Sequence, residues 1–210
     1  MNTPQNEPRN MHAVIDGLRS KYVKLPRGRE FRAHLDRLLK CDDTGRHIPA
    51  PMVFTSTGET RGIALVDGAG GGKTSLVDHA LREHPALQSP DPHTKHWIGV
   101  RVPSPATLKS LGLEILRQTG YPDVSKPKHA WQIWTHVRYR LQLLKTVVLW
   151  IDEAHDLFRN GSAREIEDML KTLKSLMQGE GAVIVVLTGS ETLWQIASYD
   201  DQVKRRGRLA

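Results

Sequence analysis

Four short apolar runs govern what this chain can fold into: GIALV at 62–66, HWIGVRV at 96–102, TVVLWI at 146–151 and AVIVVLT at 182–188. Each has strand length and is rich in β-branched residues, and segments with an apolar repeat of three to four residues separate them. Strands that read as continuous Val/Ile/Leu are buried on both faces, the condition of a parallel sheet covered by helices. The helical segments fall at 73–84, 106–119, 129–144 and 162–178. The last opens with Ser162 and Glu165 in capping-box spacing, and Gly120 and Pro122 terminate the second. A short helix is expected from Ser190. Ahead of the sheet, MHAVIDGLRSKYVKL (11–25) and REFRAHLDRLLK (29–40) read as two helices parted by Pro26 and Gly28. A Pro/Thr/Gly-rich connection then runs to about residue 61. Residues 1–10 are polar and expected to be disordered.

Parallel sheets bind ligands outside the carboxyl ends of their strands, and two of these strands end in unusual chemistry. After the first comes VDGAGGGKTSL, residues 66–76. Gly72, Lys73 and Thr74 fit the G-x-x-x-x-G-K-[ST] phosphate loop between a strand and a helix. Gly68, Ala69, Gly70 and Gly71 supply a backbone able to wrap a pyrophosphate, with Ser75 entering the helix whose positive end faces the anion. Lys73 is expected to reach the β- and γ-phosphates and Thr74 to ligate Mg²⁺. The first glycine of the pattern is replaced by Asp67, a carboxylate unwelcome beside phosphates unless Gly68 makes the turn while Asp67 faces away.

The third run continues as VVLWIDEAHDLF (147–158). A buried strand ending on two carboxylates needs a partner, since an unpaired buried charge costs several kcal/mol. A magnesium-bound triphosphate on the glycine-rich loop is such a partner. Asp152 is expected to hold the Mg²⁺ shell, and Glu153 to orient and deprotonate a water for attack on the γ-phosphate. The cofactors read from the sequence are therefore ATP and Mg²⁺. Two readings stand for the fourth strand end, VLTGS: Thr188 and Ser190 contact the attacking water or γ-phosphate, or Ser190 caps the next helix. Two also stand for DDQVKRRGRL (200–209): a basic tail, or an arginine at Arg205 or Arg206 that stabilises transition-state charge on a neighbouring subunit's nucleotide.

These motifs, in this order, resemble an AAA+ ATPase. Within that superfamily the chain resembles the transposition regulators TniB, TnsC and IstB, and TniB most. PRGREFRAHLDRLL (26–39) is similar to the segment ahead of the nucleotide site, and VPSPATLKSLGLEILRQTGYP (102–122) to the family's strand–helix segment. The resemblance extends over about residues 12–209 and implies a P-loop core at 62–210, with residues 11–61 contributing to the nucleotide pocket. Tyr22, Val23 and Pro26 would flank the adenine. It implies a homo-oligomer, ring or filament, assembled on double-stranded DNA, with nucleotide sites between subunits so that the arginine acts in trans. Its partners would be a DDE transposase and a TniQ-like target selector. DNA would run along Arg101 and Lys109, near the second strand and its helix. Such proteins continue past the arginine with a fifth strand and a helical lid; this sequence stops at Ala210, so the expectation is a core without that lid.

Charge agrees with a phosphate-rich partner. The chain of 210 residues carries +7, and 101–145 hold eight Lys/Arg against Glu114 and Asp123. A surplus of that kind attracts nucleic acid, or it is a solvated helix face. With Cys41 the only cysteine, an N-terminus lacking an apolar middle and no membrane-length apolar run, a cytoplasmic protein is expected. Trp131 and Trp134 are expected to pack rather than stack on bases, and His155 to orient the acidic turn. The competing functions are a nucleotide-gated DNA scaffold that barely hydrolyses and a signalling ATPase without DNA binding. A helicase, spelled by the DEAH at 152–155, lacks room for a second motor domain.

Overall fold

A computed structural model of the chain describes residues 15, 17, 25–121, 129–159 and 161–193. Helix α1 (Pro26–Asp36) leads into a hairpin of β1 (Leu39–Cys41) and β2 (His47–Pro51). Strand β3 (Ile63–Val66), helix α2 (Lys73–Arg82), a 3₁₀ turn (Pro85–Leu87) and β4 (Trp97–Arg101) follow. Helices α3 (Leu108–Gln118) and α4 (Ala130–Leu143) precede β5 (Val148–Asp152). The short α5 (Asp156–Arg159), then α6 (Ala163–Leu176) and β6 (Ile184–Gly189), complete the described elements.

The four apolar runs form one parallel sheet in the order β3-β6-β5-β4. Every residue of β5 is buried, as the unbroken apolar run requires of a central strand. Side chains alternate across it. Leu149 and Ile151 join α3, α4 and α6 on one face, while Val148 and Trp150 join α1, α2 and the hairpin on the other. Phe31 and Leu35 of α1, both with no exposed surface, pack with Leu76, Val77 and Leu81 of α2. That contact fixes α1 against the helix that follows the glycine-rich loop.

The structure departs from the sequence reading at four places. Helix α1 begins at Pro26 rather than after Gly28, a place that suits a residue lacking an N–H at a first-turn position. The helix ends at Asp36, so that Leu39 enters the core from a strand. The expected loop to residue 61 contains β2, paired with β1 at the end of the expected helix, and its two prolines sit where a two-stranded sheet tolerates missing donors. Of the two tryptophans, Trp134 is buried and its Nε1–H donates to the Leu108 carbonyl, whereas Trp131 is 67% exposed. Most of the first expected helix and everything after Leu193 lie outside the described residues. Among the described residues no helix is long and apolar enough to cross a membrane.

Candidate functional site

Backbone bonds continue past the strand ends and draw three loops together. The N–H of Asp67 donates to the Gly189 carbonyl at 3.2 Å, that of Ala154 to Thr188 at 2.8 Å, and that of Val102 to Asp152 at 3.0 Å. The glycine-rich loop, the acidic turn and the end of β6 therefore meet at one edge of the sheet. Gly70 and Gly72 have φ of 77° and 74°, conformations that side chains resist, and they let the loop turn into α2. No side chain caps α2. Its first-turn N–H groups have no partner inside the helix and face the loop, an arrangement that favours an anion.

Asp152 is the hub. It is 6% exposed. The Thr74 hydroxyl donates to its Oδ2 at 2.9 Å and the Thr188 hydroxyl to its Oδ1 at 2.5 Å. Trp150 Nε1–H in turn donates to Thr188 Oγ1 at 3.1 Å. One chain of contacts thus runs from α2 through β5 to β6 and joins residues 78 and 36 positions apart in sequence. The site presents one hydroxyl and one carboxylate as hard oxygen donors, and no group of three acidic, histidine or cysteine side chains able to hold a metal occurs among the described residues. That donor set fits Mg²⁺, which takes one or two protein ligands and completes its shell with phosphate oxygens and water.

Lys73 is 9% exposed, with Nζ donating to the carbonyls of Asp67 at 2.8 Å and Gly68 at 2.7 Å. Glu153, at the carboxyl end of β5, has φ of 55°, a region non-glycine residues seldom occupy and which recurs at functional turns. Its Oε1 lies 3.7 Å from Arg101 and its Oε2 3.4 Å from His155 Nδ1. The His155 expectation meets a second contact as well, since the Ser190 N–H approaches the same Nδ1 at 3.4 Å.

Asp67 neither points freely into solvent nor pairs with Lys73 Nζ. Arg27 Nη1 donates to its Oδ2 at 2.6 Å and the Gly68 N–H to its Oδ1 at 2.8 Å. The Arg27 hydrogen bond foremost, then the Gly68 N–H, hold its pKa below the ordinary carboxylate value. Sequence reasoning missed Arg27, which lies 40 residues from its partner. The signal for it was indirect: an acid in a phosphate loop implies a nearby cation.

Gly68, Ala69, Gly70, Gly71, Gly72, Lys73, Thr74, Asp152, Glu153, Thr188 and Ser190 thus share one edge of the sheet, with Ser75 on the first turn of α2. Thr188 is fully buried and committed to Asp152, not open toward an incoming water. Ser190 precedes a helical turn at 191–193, and the Leu193 N–H donates to its carbonyl. Arg101 ends β4 opposite Asp152 and beside Glu153, while Lys109 sits a loop away on α3, lining a cleft of about 710 Å³ with Asp156 and Glu165. The basic surplus is partly spent internally. Arg138 donates to the Ser175 carbonyl, Arg140 to that of Thr119, and Arg117 pairs with Glu114. Tyr22, Val23, Arg205 and Arg206 lie outside the described residues.

Comparison with known proteins bears on the family and the fold. A family model described as "Bacterial TniB protein" matches residues 19–209. Comparison with curated proteins finds no match. Among solved structures, the Aeropyrum pernix ORC2 protein in ADPNP–ADP complexes aligns with a TM-score of 0.60 at 18% identity, covering 90% of this chain and 49% of that one. The A. pernix ORC1 protein in complex with DNA gives 0.58 at 16%, covering 89% and 45%. Cdc6p from Pyrobaculum aerophilum gives 0.58 at 15%, covering 90% and 47%. The chain spans about half the length of the solved structures it matches.

Proposed function

This chain belongs to the TniB family and has the P-loop AAA+ fold, and from that premise we propose that it binds and hydrolyses ATP with Mg²⁺ as a DNA-associated regulator of transposition. The observation that carries the reading is the Thr74–Asp152–Thr188 chain, which sets a magnesium-type donor pair at the mouth of an uncapped, glycine-fronted helix. Thr74 and Asp152 would hold the ion, which supplies charge neutralisation on the transferring phosphoryl group. Lys73 exchanges the Asp67 and Gly68 carbonyls for phosphate oxygens. The loop N–H groups from Gly70 to Ser75 fix the polyphosphate. Glu153 accepts the proton of the attacking water, and Thr188 acts as a positioning residue that holds Asp152 in its rotamer. Tyr22 and Val23 as an adenine wall, and Arg205 or Arg206 as a finger in trans, complete the site in the assembled homo-oligomer. Family membership supports double-stranded DNA, a DDE transposase and a TniQ-like selector as partners in the cytoplasm. Arg101, with a side chain 76% exposed, and Lys109 would meet DNA phosphates without regard to sequence.

A second reading has an observation of its own. Glu153 already touches Arg101 and His155, and a glutamate so engaged suits a nucleotide-gated DNA scaffold that hydrolyses slowly. Phosphate release with and without duplex DNA, beside nucleotide binding, separates the two. Hydrolysis predicts that Lys73→Ala abolishes binding, while Glu153→Gln binds normally and loses release by about 10² or more. A wild-type rate equal to that of Glu153→Gln establishes the scaffold, and unimpaired binding by Lys73→Ala rejects the cradle itself.

A further inference from the structure

An acid in place of the loop's first glycine sets a problem that the nucleotide reading leaves open. Asp67 is ionised and lies at the start of the segment that must receive a polyphosphate. Lys73 does not neutralise it directly, because Nζ is bound to the main-chain carbonyls of Asp67 and Gly68. The cation on the carboxylate is Arg27, at 2.6 Å. Arg27 sits in the first turn of α1, and α1 is packed on α2 through Phe31 and Leu35. The guanidinium is therefore presented to the loop by a rigid helix pair rather than by a free segment. A Cβ on Gly71 would overlap the carboxylate, so the Asp67 side chain holds this position only with glycine there.

Resting on the nucleotide reading above, we propose that Arg27 is an affinity-determining residue of this phosphate loop, its guanidinium cancelling the charge of Asp67 so that the loop accepts a polyphosphate. Both side chains are about one-third exposed, so water screens the pair without removing its effect on a nearby anion. With the couple intact, Asp67 adds no net charge and Lys73 remains the net cation. With Arg27 removed, a bare carboxylate faces the phosphates.

The test is binding of Mg²⁺ and a fluorescent ADP derivative to the full chain. Arg27→Ala is expected to weaken affinity roughly tenfold, from one uncompensated like charge near the ligand. Arg27→Lys keeps the charge and should lose less. Asp67→Asn combined with Arg27→Ala should return affinity to within about threefold of wild type, and Asp67→Asn alone should bind tighter than wild type. Rescue by deleting a second side chain is a result that a merely structural Arg27 does not give. If Arg27→Ala fails to fold, Asp67→Asn carries the test, and unchanged or weaker binding by it overturns the proposal. Wild-type affinity for Arg27→Ala, or no rescue in the double variant, overturns it too while the nucleotide reading stands. Absence of binding by wild type and Asp67→Asn alike rejects both.

Discussion

Asp152 and Thr188 illustrate what one buried carboxylate demands of its neighbours. Both Asp152 oxygens accept hydroxyl hydrogen bonds, and Thr188 also accepts from Trp150. Thr188→Val is isosteric and removes that hydroxyl, leaving two buried polar groups without their partner. It is expected to destabilise the fold by about 1–3 kcal/mol in urea unfolding, with Thr188→Ser recovering most of the loss. Lys73, Thr74, Asp152 and Glu153 were legible in the sequence because loop and strand-end chemistry is fixed by spacing of a few residues. The Arg27–Asp67 pair, the burial of Thr188 and the position of Arg101 beside Glu153 were not. Each depends on a contact between segments 36 to 52 residues apart that only the folded sheet brings together.

Elements show the same division. The four strands were legible from their apolar runs, and the capping box at Ser162 and Glu165 placed the start of α6. The β1–β2 hairpin was not, because His47–Pro51 carries two prolines and lacks the alternation of a half-buried strand. No glycine or proline marked the end of α1; burial of Leu39 decided it. This corner also holds a titratable junction. His84, 1% exposed, takes the Ala86 N–H on Nδ1 and bonds through Nε2 to Asp36 of α1 at 3.0 Å. Burial first, then the Arg32 charge, push its pKa below the ordinary histidine value, against the pull of Asp36. A depressed imidazole means that the unfolded chain takes the proton at the higher pH. His84 therefore contributes stability that is full above pH about 6.5 and is lost as pH falls below that value. Melting between pH 7.5 and 5.5 should show a steeper loss for wild type than for His84→Gln, by at most about 1.4 kcal/mol per pH unit for one proton. Equal slopes would remove His84 as the source.

At the scale of the whole molecule, sheet order does the organising. With β6 and β5 central and β3 and β4 outside them, the carboxyl ends of β3, β5 and β6 adjoin. The loops that follow those three strands, far apart in the sequence, form one site as a result. The alternation of strands and helices announced a parallel sheet, and a parallel sheet announces where ligands bind. The central claim is that the glycine-rich loop and the acidic turn jointly grip a magnesium-bound triphosphate. A crystal structure of the chain with Mg²⁺ and a non-hydrolysable ATP analogue tests it most directly. An ion is expected about 2.1 Å from Thr74 Oγ1, with Asp152 in its shell, and Lys73 Nζ moved from the Asp67 and Gly68 carbonyls onto the β- and γ-phosphates. A nucleotide bound elsewhere, with Lys73 still on those carbonyls and no ion beside Thr74, would contradict it.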